Sequence, residues 1–112
     1  MIIAIPLDDG KLCPHFGHCS QFALVQVDPA AKTITGRRDI DAPPHEPGLL
    51  PNWLAERNVN LIICSGMGAR AMELFAQKEI KVIAGAPPEM PEKLVSEYLA
   101  KTLRSGSNSC DH

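Results

Sequence analysis

The sequence holds four cysteines and four histidines, and Cys13, His15, His18 and Cys19 all fall within residues 13–19, with Cys110 and His112 at the other end of the chain. Thiolate sulfur and imidazole nitrogen are soft to borderline ligands that suit zinc, copper or an iron–sulfur centre, whereas hard ions such as magnesium call for oxygen cages. Pro14 disfavours helix at Cys13 and Gly17 permits a sharp bend, so the loop can turn several of these side chains inward. A plain loop, with ordinary cysteines and one histidine capping backbone, is the alternative; the density of ligand types favours metal or cofactor contact. Cys110-Asp111-His112 offers a second grip on a glycine- and serine-bearing tail that can fold back, although a chain terminus can also carry a cysteine without function. Paired cysteine-x-x-cysteine units are absent, which makes a purely structural zinc site the weaker reading.

Gly66-Met67-Gly68, opening a helix, is the second chemical feature. Backbone amides at a helix N-terminus, glycines that allow close approach and the cation of Arg70 can together hold a phosphate or a negatively charged metal–sulfur cluster. The glycine spacing fits neither a dinucleotide loop nor a P-loop, and a tight strand-to-helix turn with Arg70 in solvent explains the residues equally well. Cys64 ends an apolar run and reads as a buried small hydrophobe, and Met67, Met72 and Met90 read as packing. Asp8 and Asp9 are neighbours whose side chains point apart in extended backbone, which argues against a paired-carboxylate centre. No Ser/His/Asp or Cys/His/Asn arrangement emerges to support hydrolysis.

These residues need elements to carry them. Ile2 to Pro6 suits a buried strand; Gln21 to Val27 and Lys32 to Arg38 suit a β-hairpin at or near a sheet edge. Pro43, Pro44, Pro47 and Pro51 with Gly48 make Asp39 to Pro51 a stiff loop, with His45 in it beside Glu46. Pro51 to Asn58 suits a short helix, Leu61 to Cys64 a strand, Ala69 to Lys78 a helix, Ile80 to Ala84 a strand, and Pro91 to Leu103 a helix. The late alternation implies parallel strands with right-handed crossovers, and the hairpin one antiparallel strand. The expectation is an α/β domain over residues 1–104, a five-stranded mixed sheet flanked by helices on both faces, with residues 105–112 as a flexible tail. Ligands of such open sheets bind outside the carboxyl ends of the strands, where the cysteine–histidine loop and the glycine turn both fall.

The net charge of -2, with both signs interspersed, gives no footprint for nucleic acid or an anionic membrane. No run approaches membrane-spanning length and the start lacks the pattern of an export signal, so a cytoplasmic setting is expected, where thiols stay reduced.

Taken together, Ile2-Ile3-Ala4-Ile5-Pro6, His15-Phe16-Gly17-His18-Cys19 followed by Phe22, Ser65-Gly66-Met67-Gly68-Ala69-Arg70-Ala71, Ile80-Lys81-Val82 and the ending Gly106-x-Asn108-x-Cys110-x-His112 resemble the dinitrogenase iron-molybdenum cofactor biosynthesis family over essentially the whole chain. The resemblance implies a ribonuclease-H-like three-layer arrangement without nuclease activity. It also implies binding, protection or carriage of metal–sulfur clusters rather than catalysis, with the His15 region and the glycine turn lining the site. Stand-alone members occur where nitrogenase is absent, so it speaks for cluster binding more than for nitrogen fixation.

The reading that results is a carrier or scaffold, not an enzyme, for an anionic cluster of iron, molybdenum or copper with sulfur. Cofactor contacts are His15, Phe16, Gly17, Gly66, Met67, Gly68 and Arg70; metal ligands are Cys13, His15, His18, Cys19, Cys110 and His112. A cofactor-assembly protein or ATPase is the expected protein partner. Two other classes stand beside it. One is a thiol-based redox or metal-transfer protein, in which His15 or His18 lowers the pKa of Cys13 or Cys19. The other is an interaction module that docks a pathway ATPase through the hairpin edge and proline-rich loop.

Overall fold

The structure, a computed structural model, describes residues 1–14, 16, 19–44 and 48–103. Its centre is β1 (Ile2–Asp8), in which Ile3, Ala4, Ile5 and Leu7 have no exposed surface. A strand shielded on both faces has to pair its backbone along both edges. β3 (Gln21–Asp28) takes one edge, antiparallel, with Ile2 opposite Gln26 and Leu7 opposite Gln21. β5 (Leu61–Ile63) takes the other, parallel, at Ile3 and Ala4. β4 (Thr33–Asp41) pairs outside β3 and β6 (Lys81–Ile83) outside β5, giving the order β4-β3-β1-β5-β6. The five expected strands are all present.

The sheet has a sixth strand, β2 (Lys11–Leu12), on the edge of β1 that β5 leaves vacant, with Leu12 opposite Leu7. Asp9 (φ 54°) and Gly10 (φ 79°) are both left-handed, a two-residue Asp-Gly turn whose twist suits a hairpin. The returning strand is too short to show a period in the sequence. Pro6 does not end β1 as expected. Odd residues of β1 face β3, as in the exchange of bonds between Met1 and Val27, so the missing N–H of Pro6 lies toward the other edge, beyond the last β5 pair.

The pleat sorts the core into two clusters. Ile3, Ile5 and Leu7, with Val25 and Ile63, pack against Leu94, Val95 and Leu99 of α3 (Pro91–Leu99). Ala4, with Phe22, Leu24 and Ile62, packs against Leu54 of α1 (Leu49–Ala55) and Phe75 of α2 (Ala69–Gln77). Helices therefore cover both faces, and the three-layer arrangement holds. Among the described residues no helix is long and apolar enough to cross a membrane.

Several boundaries move from their expected places for local reasons. β4 runs on to Asp41 because Ile40 pairs with Phe22 and the first proline comes only at Pro43. It bulges at Thr35: Gln26 faces Gly36 while Val27 faces Ile34, and the Thr35 hydroxyl donates to the Gln26 carbonyl at 3.2 Å. α1 begins at Leu49 rather than Pro51, since a proline in the first turn forfeits no helical hydrogen bond. α3 stops at Leu99 rather than Leu103, where Lys101 turns left-handed (φ 61°) and Thr102 N–H donates back to Glu97 O. Met90, read as packing, is 47% exposed just before α3. Arg37 of β4 makes two bonds to Asp39 (2.7 and 2.9 Å) and a third to Glu92, pinning the hairpin to α3.

Leu94→Ala, which empties a site with no exposed surface, is expected to cost about 2–5 kcal/mol. Urea denaturation checks this as a lower midpoint at unchanged slope. Met90→Ala in the same assay stays within about 0.5 kcal/mol of the parent chain.

Candidate functional site

Where β1 reaches the rim of the sheet, two of its carbonyls hold the cysteine–histidine loop. Cys13 N–H donates to Pro6 O at 2.8 Å, and Ser20 donates to Leu7 O through its N–H (3.0 Å) and its hydroxyl (3.2 Å). Both ends of the loop thus stand on consecutive residues of one buried strand. Between them Phe16, half-buried, sets its ring against Phe22 of β3 (centroids 5.9 Å apart, planes at 67°) and Phe75 of α2 (5.6 Å, 85°). All three phenylalanines of the chain meet here, and Phe22 continues the series to Trp53 of α1 at 5.5 Å. The sequence reading missed Phe22 and Phe75 as supports of the loop; the scarcity of aromatic residues was the available signal.

Cys13 is buried, Cys19 half-buried against the cluster beneath α1 and α2, and Cys64 fully buried in that cluster, as expected of the end of an apolar strand. All three are thiols. Burial pushes the Cys19 thiol up to about 11, aided by the negative charges that Cys13 and Asp8 would carry and opposed by a backbone hydrogen bond. Among the described residues no three histidine, cysteine or carboxylate side chains converge on a metal-sized site. His15, Gly17, His18, Cys110 and His112, five of the residues singled out above, lie outside the described residues, as does His45.

The glycine turn forms the other part of the rim. Cys64 N–H donates to Ile83 O, Ala86 N–H to Cys64 O and Gly85 N–H to Ser65 O, tying the connection after β5 to the one after β6. Gly66 is buried and Met67 is 1% exposed with its side chain in the core, while Gly68 and Arg70 are exposed. Gly68 is the N-cap of α2 and offers no side-chain cap to the first-turn amides of Ala69, Arg70 and Ala71, which stand just beyond the glycines and have no partner within the helix. No acidic residue stands in that turn to compete with an anion. Gly68 has φ −63° and ψ 151°, open to any residue, and a Cβ there would meet nothing within 4 Å. The fold does not require glycine at this position. A modest N-cap preference or the close approach of a ligand to the backbone remains.

A sequence model of the family described as dinitrogenase iron-molybdenum cofactor matches residues 1–101. An uncharacterised protein of Methanocaldococcus jannaschii is 34% identical over 89 residues, 73% of this chain and 72% of its own length. Among solved structures, the crystal structure of PH0822 superposes with a TM-score of 0.86 at 24% identity, covering 94% of each chain. The apo form of the orange protein from Desulfovibrio gigas superposes with a TM-score of 0.73 at 20% identity, over 96% of this chain and 93% of that one. Both structures share the fold described above.

Cys19 holds its proton to a higher pH in the folded chain than in the unfolded one, where the ordinary value is 9.0. The stability it contributes is therefore complete below about 9 and is lost as pH rises through about 11. Iodoacetamide labelling read by mass spectrometry should show the Cys19 rate climbing to about pH 11, and Cys19→Ala should remove this part of the alkaline loss of stability.

Proposed function

This chain belongs to the dinitrogenase iron-molybdenum cofactor family, and from that premise we propose that it binds and carries, or scaffolds, an anionic cluster of iron, molybdenum or copper with sulfur. The cluster is cargo, not a catalytic group. The observation that carries the reading is the rim itself: a loop rich in thiol and imidazole, clamped on β1, shares the end of the sheet with an uncapped helix N-terminus that no acidic residue guards.

In this reading Cys13, His15, His18 and Cys19 are ligands or near contacts. The amides around Gly66, Met67 and Gly68, continued into the first turn of α2, and the guanidinium of Arg70 offset negative charge. Gly68 lets sulfur come close to the backbone. Cys110 and His112, on the tail of residues 105–112, act as a lid or transfer grip. A neutral Cys19 does not repel an approaching anion, and it gives up its proton only when metal displaces it. A cofactor-assembly protein or ATPase in the cytoplasm would receive or deliver the cargo.

At Cys19 the redox reading finds no support, because burial moves that thiol upward, opposite to the depressed pKa of an activated nucleophile. No observation favours the interaction-module reading over the carrier.

Protein purified without oxygen from cells supplied with iron, molybdenum and copper is expected to carry metal with sulfide and to show charge-transfer absorption. Metal-free protein should take up tetrathiomolybdate, a soluble anionic metal sulfide, in equilibrium dialysis. His15→Ala with His18→Ala should weaken that uptake by roughly tenfold or more, the scale of one lost charge-assisted contact; unchanged binding removes both histidines from the ligand set. Gly68→Ala should weaken uptake at a stability cost of about 1 kcal/mol or less, the scale of the N-cap preference for glycine over alanine. Colourless protein that also refuses tetrathiomolybdate would favour the interaction module.

A further inference from the structure

Phe16 sits among the ligand candidates, yet its geometry belongs to the fold. Its ring meets two rings on different elements at 67° and 85°, the edge-to-face arrangement in which positive ring edges meet negative faces. Phe22 and Phe75, its two partners, have no exposed surface, so they are fixed supports rather than mobile contacts. One is part of the sheet and the other part of α2. The hydrogen bonds of Cys13 and Ser20 tie the loop to β1; Phe16 ties it to the helix.

That distinction has a geometric result. The loop and α2 come from separate parts of the chain, and the bonds to β1 hold the loop's two ends without setting the distance from its middle to the helix. A ring lodged between β3 and α2 specifies it. We propose that Phe16 is a positioning residue: through Phe75, in the last turn of α2, it sets how close the cysteine–histidine loop stands to the body of that helix, and it acts on the cargo through the loop rather than by touching it. What is bound rests on the carrier reading above, but the pinning is a property of the chain alone.

Metal-free protein tests the pinning without any cargo. In Phe16→Ala the loop should open more often, so that iodoacetamide labels Cys19 roughly tenfold faster, the scale set by two lost ring contacts. Cys64, with no exposed surface, should stay protected and show that the frame is intact. Phe16→Tyr, which keeps the ring, should label at the parent rate. In parallel, tetrathiomolybdate binding should fall roughly tenfold in Phe16→Ala and hold in Phe16→Tyr.

Unchanged Cys19 labelling in Phe16→Ala overturns the proposal even if tetrathiomolybdate binding is lost, since that pattern marks a direct contact. If Phe16→Ala also exposes Cys64, Phe16→Leu, which restores apolar volume without ring edges, takes its place, and labelling at the parent rate in that variant overturns the proposal. A parent chain that never binds tetrathiomolybdate counts against the carrier reading and leaves the labelling comparison standing.

Discussion

Pro6 can accept a hydrogen bond and cannot donate one, and it stands in a strand with water on neither face. The missing donor is tolerable only where no neighbouring strand asks for it. β5 pairs with Ile3 and Ala4, and Pro6 lies past those pairs. Beyond that point β2 returns along the same edge and the chain continues into the loop, whose Cys13 amide takes the Pro6 carbonyl. One residue that cannot donate to the ladder thus supplies, through its carbonyl, a post for the segment that follows β2.

Most of the sheet was legible because its strands are short apolar runs divided by strong punctuation. Leu61 to Ile63 and the glycines after it could be placed by pattern alone, as could the hairpin from Gln21 onward. The remainder depended on partners distant in sequence. β2 is a strand only because β1 has a vacant edge, Asp39 to Asp41 extend only because Gln21 to Ala23 lie opposite, and Pro6 reads as a terminator until its neighbour's length is known.

The site divides along the same line. Residue types announced the cysteine–histidine loop, and the glycines announced the turn, because soft ligands and missing side chains are visible one letter at a time. The anchors were hidden, since carbonyl oxygens of Pro6 and Leu7 carry no sequence signature and the meeting of Phe16 with Phe22 and Phe75 spans three elements. Gly68 shows the limit well. Its identity was plain, but only its backbone angles and the open space around it show that the fold has no need of a glycine there.

The place of α3 in the chain bears on how the protein is made. The face of the sheet formed by Ile3, Ile5, Leu7, Val25 and Val27 is covered by the last of the described helices. On a ribosome the strands that build this face emerge long before their cover, and at ordinary synthesis rates the delay is on the order of ten seconds. The hairpin can close in that interval, because its contacts are local. Its apolar underside then waits, half a core without its lid, and Arg37 waits with it for Glu92. The finished fold buries that surface, while the nascent chain must be kept from using it on a neighbour.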